Sequence, residues 1–266
     1  VNVCVRYKGR GYFFYLLVTP EIVETGIPMY MAAGEWTKAD KVWKQLLQLT
    51  GGHGNPEQLA KIYASLGTVE HHLGQADKAR KRFTKALELR PNDIGALRGY
   101  GAVLFAAEDW NNLLNIFNNI IYHTQDPGDV IDAYLNKGFV LDARLGLPDK
   151  AAQHYEKSLA FDPGQPQALL RLAELALRRQ DWPEAASLAE RGLAIQDETP
   201  LLRSFLLLIR SIAYQACGDA RAASDGYKSA LVVDPTLTNT LGGATIDDYE
   251  KVHEILRSRL QASQRL

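Results

Sequence analysis

Cysteine is scarce: Cys4 and Cys217 are the only two in 266 residues. Two thiols make no disulfide framework. Their scarcity leans the protein toward the cytoplasm and leaves the periplasm open. Long apolar runs are missing as well. The longest near the start, Tyr12 to Val18, is too short to span a bilayer. Neither sign of charge is in excess, with a formal net charge of −1. Without a global field, nucleic acid and anionic membranes are not expected partners.

The usual motifs of chemistry are absent too. There is no glycine-rich phosphate loop, no HExxH, no CxxC and no G-x-S-x-G. His71 and His72 are neighbours on a predicted helix, so they point about 100° apart and do not chelate one metal together. Glu184 with Glu190, and Asp247 with Asp248, read as solvated helix charges. No enzymatic activity, cofactor or metal is expected. No secretory signal with a cleavage site is recognisable. Val1 in place of Met makes a fragment or a processed product the expectation.

What the chain does have is repetition. LGQADKARKRFTKALELRPND at 73–93 returns as LGLPDKAAQHYEKSLAFDPGQ at 145–165 and as CGDARAASDGYKSALVVDPTL at 217–237, each start 72 residues after the last. Degenerate copies begin at Ala107 and Arg179, 34 residues after their clear neighbours, and an earlier one at Ala33. A fixed period of this kind marks a solenoid that stacks one supersecondary unit. Ala79, Phe83, Ala86 and Leu87 recur at helical spacing, and Pro91, Pro163 and Pro235 each follow such a segment. The unit therefore reads as helix, turn, helix. Trp36, Trp110 and Trp182 mark the turns of odd units, while Ala76, Pro148 and Ala220 stand there in even ones. The 72-residue period suggests that a two-repeat block was duplicated; the alternative is coincidence with a general tolerance for aromatics at that turn.

Several positions recur together. Tyr63, Leu66, Gly67, Gly74, Ala79, Phe83, Ala86 and Pro91 form one set. Tyr134, Gly138, Gly146, Ala151, Tyr155 and Pro163 form the next, and Gly218, Ala223, Tyr227, Ala230 and Pro235 the third. On these residues the chain resembles the tetratricopeptide repeat family over roughly 20–237. The resemblance implies an all-α, right-handed superhelical solenoid of about six repeats, at 20–53, 60–93, 94–127, 131–165, 166–199 and 204–237. Small residues such as Gly67 and Ala79 would sit at close helix crossings, with Phe83 or Tyr155 opposite. Pro28 should kink the first helix of repeat one. Gly138 to Gly146 spans one residue more than Gly67 to Gly74, so that turn should be longer.

The ends depart from the pattern. Residues 1–19 alternate and then turn aromatic, which suggests a hairpin; the readings are the tail of an upstream domain, a helix capping the solenoid, or an arm that docks elsewhere. In 238–266, Asn239 to Gly243 reads as a flexible loop, and Thr245 to Leu260 as a capping helix with Thr245 as N-cap. Cys217 should be small, buried packing at the end of a first helix.

In the family the first helix of each repeat lines a concave groove. The resemblance puts Thr68, His71 and His72 on that face, then Arg98, Ala102 and Phe105, then Leu135, Asn136, Phe139 and Asp142, and then Leu170, Arg171, Glu174, Leu177 and Arg178. It implies a protein-interaction scaffold whose partner is a peptide or helical segment. Phe105, Phe139 and Leu170 would anchor that partner, and Arg98 and Arg171 would orient it. For each apolar residue the alternative is packing between neighbouring helices. Ala64 and Thr68 stand where relatives that clamp chaperone tails have Lys and Asn, which argues against that role. The five asparagines 111, 112, 115, 118 and 119 read as a solvated outer face, or else as a patch for a partner subunit. The other functional reading is an accessory module of a larger enzyme or of an envelope or secretion assembly. The oligomeric state stays open.

Overall fold

The structure is a computed structural model that describes residues 2–7, 10–15, 30–50, 54–195 and 199–263. The expected hairpin is present: β1 (Asn2–Tyr7) pairs antiparallel with β2 (Arg10–Tyr15), Asn2 facing Tyr15 and Tyr7 facing Arg10. Beyond it the described elements are helical. The kink expected at Pro28 lies outside the described residues.

Five helix pairs follow α1 (Trp36–Thr50). They are α2 (Pro56–His72) with α3 (Ala76–Leu89), α4 (Ile94–Ala106) with α5 (Trp110–His123), and α6 (Pro127–Phe139) with α7 (Pro148–Phe161). Then come α8 (Pro166–Arg178) with α9 (Trp182–Leu193), and α10 (Pro200–Ala216) with α11 (Ala220–Val233). A short α12 (Thr236–Leu241) and a final α13 (Tyr249–Ser263) complete the chain. The first helices of repeats two, four and six start at 56, 127 and 200, a turn ahead of the expected repeat bounds. Asn55, Asp126 and Thr199 cap those helices ahead of a proline, accepting from the amides of Gln58, Gly128 and Leu202.

The left-handed residue does not divide odd turns from even ones, since Gly34 of repeat one takes φ +69° as the even glycines do. The even ones use Gly74, Gly146 and Gly218 at φ +71°, +64° and +88°. At the same place in two odd repeats Glu108 and Gln180 adopt φ 55° and 59°, a conformation that disfavours side chains. Each tryptophan opens its second helix and meets a ring. Trp36 stacks on His72 at 3.9 Å, Trp110 is edge-on to Phe105, and Trp182 is edge-on to Tyr249. The tryptophan and its ring contact at each odd turn, where the even turns have Ala76, Pro148 and Ala220, are what give the two-repeat block physical content.

The chain divides into two units, Val1–Asn119 and Ile120–Leu266. In the first, Phe83 is fully buried, and a Cβ on Gly67 or Gly99 would lie 2.8 or 2.6 Å from its ring. In the second, Tyr155 fills the same role against Gly138, where a Cβ would come to 2.5 Å. The ring and the glycine thus enforce each other.

Some expectations need correction. The extra residue between Gly138 and Gly146 does not lengthen the turn. A π-helical turn, Val140–Arg144, absorbs it within the helix. Cys217 is exposed, because it lies past the end of α10 where the chain already leaves the helix. Thr236–Leu241 is helix rather than loop, ended by Gly242 at φ +56°. Thr245 makes no side-chain cap bond. Asp248 accepts the Lys251 amide at 3.4 Å instead.

Candidate partner-binding groove

In the first unit the predicted groove residues sit on α2 and α4. Thr68 is half-buried, and its hydroxyl donates to the Ala64 carbonyl of its own helix at 3.2 Å. His71 is half-buried; burial, and then the neighbouring His72, hold its pKa below the ordinary value. His72 is exposed and stacks on the Trp36 indole at 3.9 Å. Arg98 is exposed, and Phe105 is half-buried against Trp110.

In the second unit the apolar stripe does not stand open. Phe139 is 1% exposed, Leu170 4% and Leu177 1%. The Arg144 and Arg171 guanidiniums each lie 5.6 Å from the Phe139 ring. Leu170 and Leu177 join the core cluster that holds Phe205 and Leu206 of α10. The reason is geometric. These positions point to the next first helix, and burial there removes apolar surface from water. Phe139 is therefore a core residue, not a free anchor, whereas Leu170, though packed in the core, still borders an open cleft.

The charged residues form a network. The π-helical turn carries Asp142, whose carboxylate accepts from Arg178 at 2.6 Å. Arg178 also lies 3.6 Å from Glu174. Glu174 is 3% exposed, and its second oxygen faces His253 Nε2 of α13 at 3.8 Å. Arg171 donates to the Leu260 carbonyl of α13 at 3.0 Å. So four of the charges expected to receive a partner, Asp142, Arg171, Glu174 and Arg178, already face this chain's own side chains or its last helix.

What remains open is a cleft of about 310 Å³ on the inner faces of α6, α8 and α10. Asn136, Gln167 and Arg171 give it polar walls, Leu202 and Phe205 an apolar one, and Leu260 closes one side. Tyr155 lines it too. Its ring is buried, its hydroxyl has no hydrogen-bond partner, and burial pushes its pKa far above the usual tyrosine range. Sequence reasoning read Tyr155 only as a packing residue. It missed Leu202 because repeat six was begun four residues late. The asparagines 111, 112, 115, 118 and 119 are all exposed, as a solvated face requires. Among the described residues no group of three or more His, Cys, Asp or Glu is placed to hold a metal, and no helix is long and apolar enough to cross a membrane.

Tetratricopeptide repeat models match residues 60–93 and 143–209. The chain is a tetratricopeptide repeat protein. Among curated proteins it is similar to the RNA polymerase-associated protein CTR9 of Caenorhabditis elegans, 22% identical over 218 residues. That alignment covers 76% of this chain and 18% of CTR9, so the chain spans under a fifth of that relative. The C-terminal part of a repeat-containing protein from Cytophaga hutchinsonii superposes with a TM-score of 0.70 at 16% identity, over 86% of this chain and 89% of that one. YrrB, described as a TPR protein with an unusual peptide-binding site, superposes at 0.55 and 16% identity, over 80% and 96%. At such identities the likeness is one of fold. This tetratricopeptide repeat chain thus belongs to a fold that presents surfaces to proteins.

Proposed function

We propose that the chain is a non-catalytic scaffold that holds a segment of a partner protein against the inner faces of its first helices. The observation that carries this is the cleft on α6, α8 and α10, lined in part by Tyr155, whose buried hydroxyl lacks a partner. A buried hydroxyl without a partner is costly, and a ligand's polar atom would relieve that cost. Asn136 and Gln167 add hydrogen-bonding groups of both kinds beside it. The peptide-binding site of YrrB supports the reading by analogy of fold.

Affinity capture followed by calorimetry on the captured partner tests it. Tyr155→Phe, Asn136→Ala and Gln167→Ala should each weaken binding severalfold, while Asn111→Ala on the outer face should not. Tyr155→Phe should leave the melting temperature unchanged or raise it, since no intramolecular bond is lost. Equal binding by all four variants would remove the cleft from the function. A second reading makes the chain one module of a larger polypeptide or assembly. Its support is the alignment with CTR9, a protein of which this chain covers 18%.

A further inference from the structure

α13 does not simply stack on the last repeat. It turns back after Gly242 and Gly243, at φ +56° and +81°, where a Cβ would meet nothing within 4 Å. Tyr249 lies edge-on to Trp182, His253 faces Glu174 at 3.8 Å, and the Leu260 carbonyl accepts from Arg171 at 3.0 Å. The helix therefore runs back along α8 and α10, on the face where the groove reading places a partner. It buries a narrow stripe, Val252, Leu256 and Leu260, at 0%, 2% and 2% exposure. Lys251, Glu254, Arg257 and Ser258 point to solvent.

We propose that the inner faces of α8 and α10 form a helix-binding surface, that α13 is its resident occupant, and that the partner is an amphipathic helix which displaces α13. This rests on the scaffold reading above and narrows the class of partner. The fit of α13 says what the partner carries. A stripe of apolar residues at i, i+4 and i+8 fills the surface, as Val252, Leu256 and Leu260 do. At i+1 the resident has His253. Its Nε2 and the opposing Glu174 Oε1 are both buried and neither has a hydrogen-bond partner. A lysine or arginine at i+1 would reach that carboxylate and make the charge-assisted bond that His253 does not. The resident is thus a weaker occupant than a helix with a long cation there, and the glycine pair gives it room to swing away.

Fluorescence anisotropy with labelled peptides tests the idea on the full chain. One peptide carries residues 246–263; a second carries Lys in place of His253. The full-length Leu256→Asp variant, whose own α13 is expelled, should bind the first peptide at least tenfold more tightly than the parent chain does. The lysine peptide should bind that variant at least threefold more tightly than the first. Overturning results are equal binding by parent and variant, with circular dichroism showing the variant folded, or no gain from lysine. Should Leu256→Asp not fold, hydrogen exchange on the parent decides. Amides of α13 should exchange at least tenfold faster than those of α10, and equal protection would make α13 a fixed part of the core. A partner that still depends on Tyr155 and Asn136 while the peptides fail would sink the α13 proposal and leave the scaffold reading standing.

Discussion

A left-handed residue ends the first part of each turn, and its identity sets a local strain. Gly146 costs little at φ +64°, whereas Gln180 holds the same conformation with a side chain, φ 59°. The left-handed region disfavours a non-glycine residue by roughly 1–2 kcal/mol, offset in part by glycine's greater freedom when unfolded. Gln180→Gly and Glu108→Gly should each stabilise by about 0.5–1 kcal/mol, and Gly146→Ala should destabilise by about 1 kcal/mol. Midpoints of urea unfolding measure this, and a loss of stability in Gln180→Gly would show that its side chain, not its backbone, matters there. His154 is a second residue with a legible consequence. Burial first, then the charges of Lys137 and Lys157, lower its pKa from 6.5 to about 4. The folded state holds the imidazole neutral, so the unfolded chain binds the proton more readily. Its contribution to stability is complete above pH 6.5 and is lost as the pH falls toward about 4. Melting temperatures from pH 7.5 to 4.5 should fall less steeply in His154→Gln than in the parent. Parallel curves would remove His154 from the acid response.

At the scale of the element, helix crossings decide more than propensity does. Gly138 lies inside α6, where alanine is intrinsically better by about 1 kcal/mol. A Cβ there would lie 2.5 Å from the fully buried Tyr155 ring, and overpacking of this kind costs roughly 1–3 kcal/mol. The crossing should win, so Gly138→Ala should lower the unfolding midpoint. Ala151, 0% exposed on α7, should behave likewise as Ala151→Leu, at roughly 1–3 kcal/mol. A change in either variant below about 0.5 kcal/mol would mean that α6 and α7 yield at their crossing. The π-helical turn belongs to this scale as well. One inserted residue was visible in the spacing of glycines, but whether turn or helix would take it up depended on packing. Val140 and Leu141 are buried, at 0% and 5% exposure, which anchors that stretch as helix.

For the whole molecule, stacked repeats contact mainly their neighbours, so unfolding need not be all-or-none. Trp36, Trp43 and Trp110 lie in the first unit and Trp182 in the second. Tryptophan fluorescence therefore weights the first unit, and far-ultraviolet circular dichroism samples both. The two probes should give urea transitions that do not superimpose. Coincident curves would show that the array unfolds as one cooperative block.

The repeat fold was legible in the sequence alone, because the period and the paired glycine and aromatic positions follow from backbone geometry that each copy must satisfy by itself. Gly67 with Phe83 and Gly138 with Tyr155 announced their crossings through spacing. The groove was legible only as a face. Phe139 and Leu170 have the helical phase of groove residues, yet the neighbouring first helices bury them, and no period encodes how closely neighbours approach. Tyr155 looked like packing because its ring is packing, while the same residue also lines a cleft made by helices from three repeats. The position of α13 escaped the sequence for the same reason. The sequence predicted a capping helix, but contacts with Arg171, Glu174 and Trp182, 67 to 89 residues away, arise only when the chain folds back.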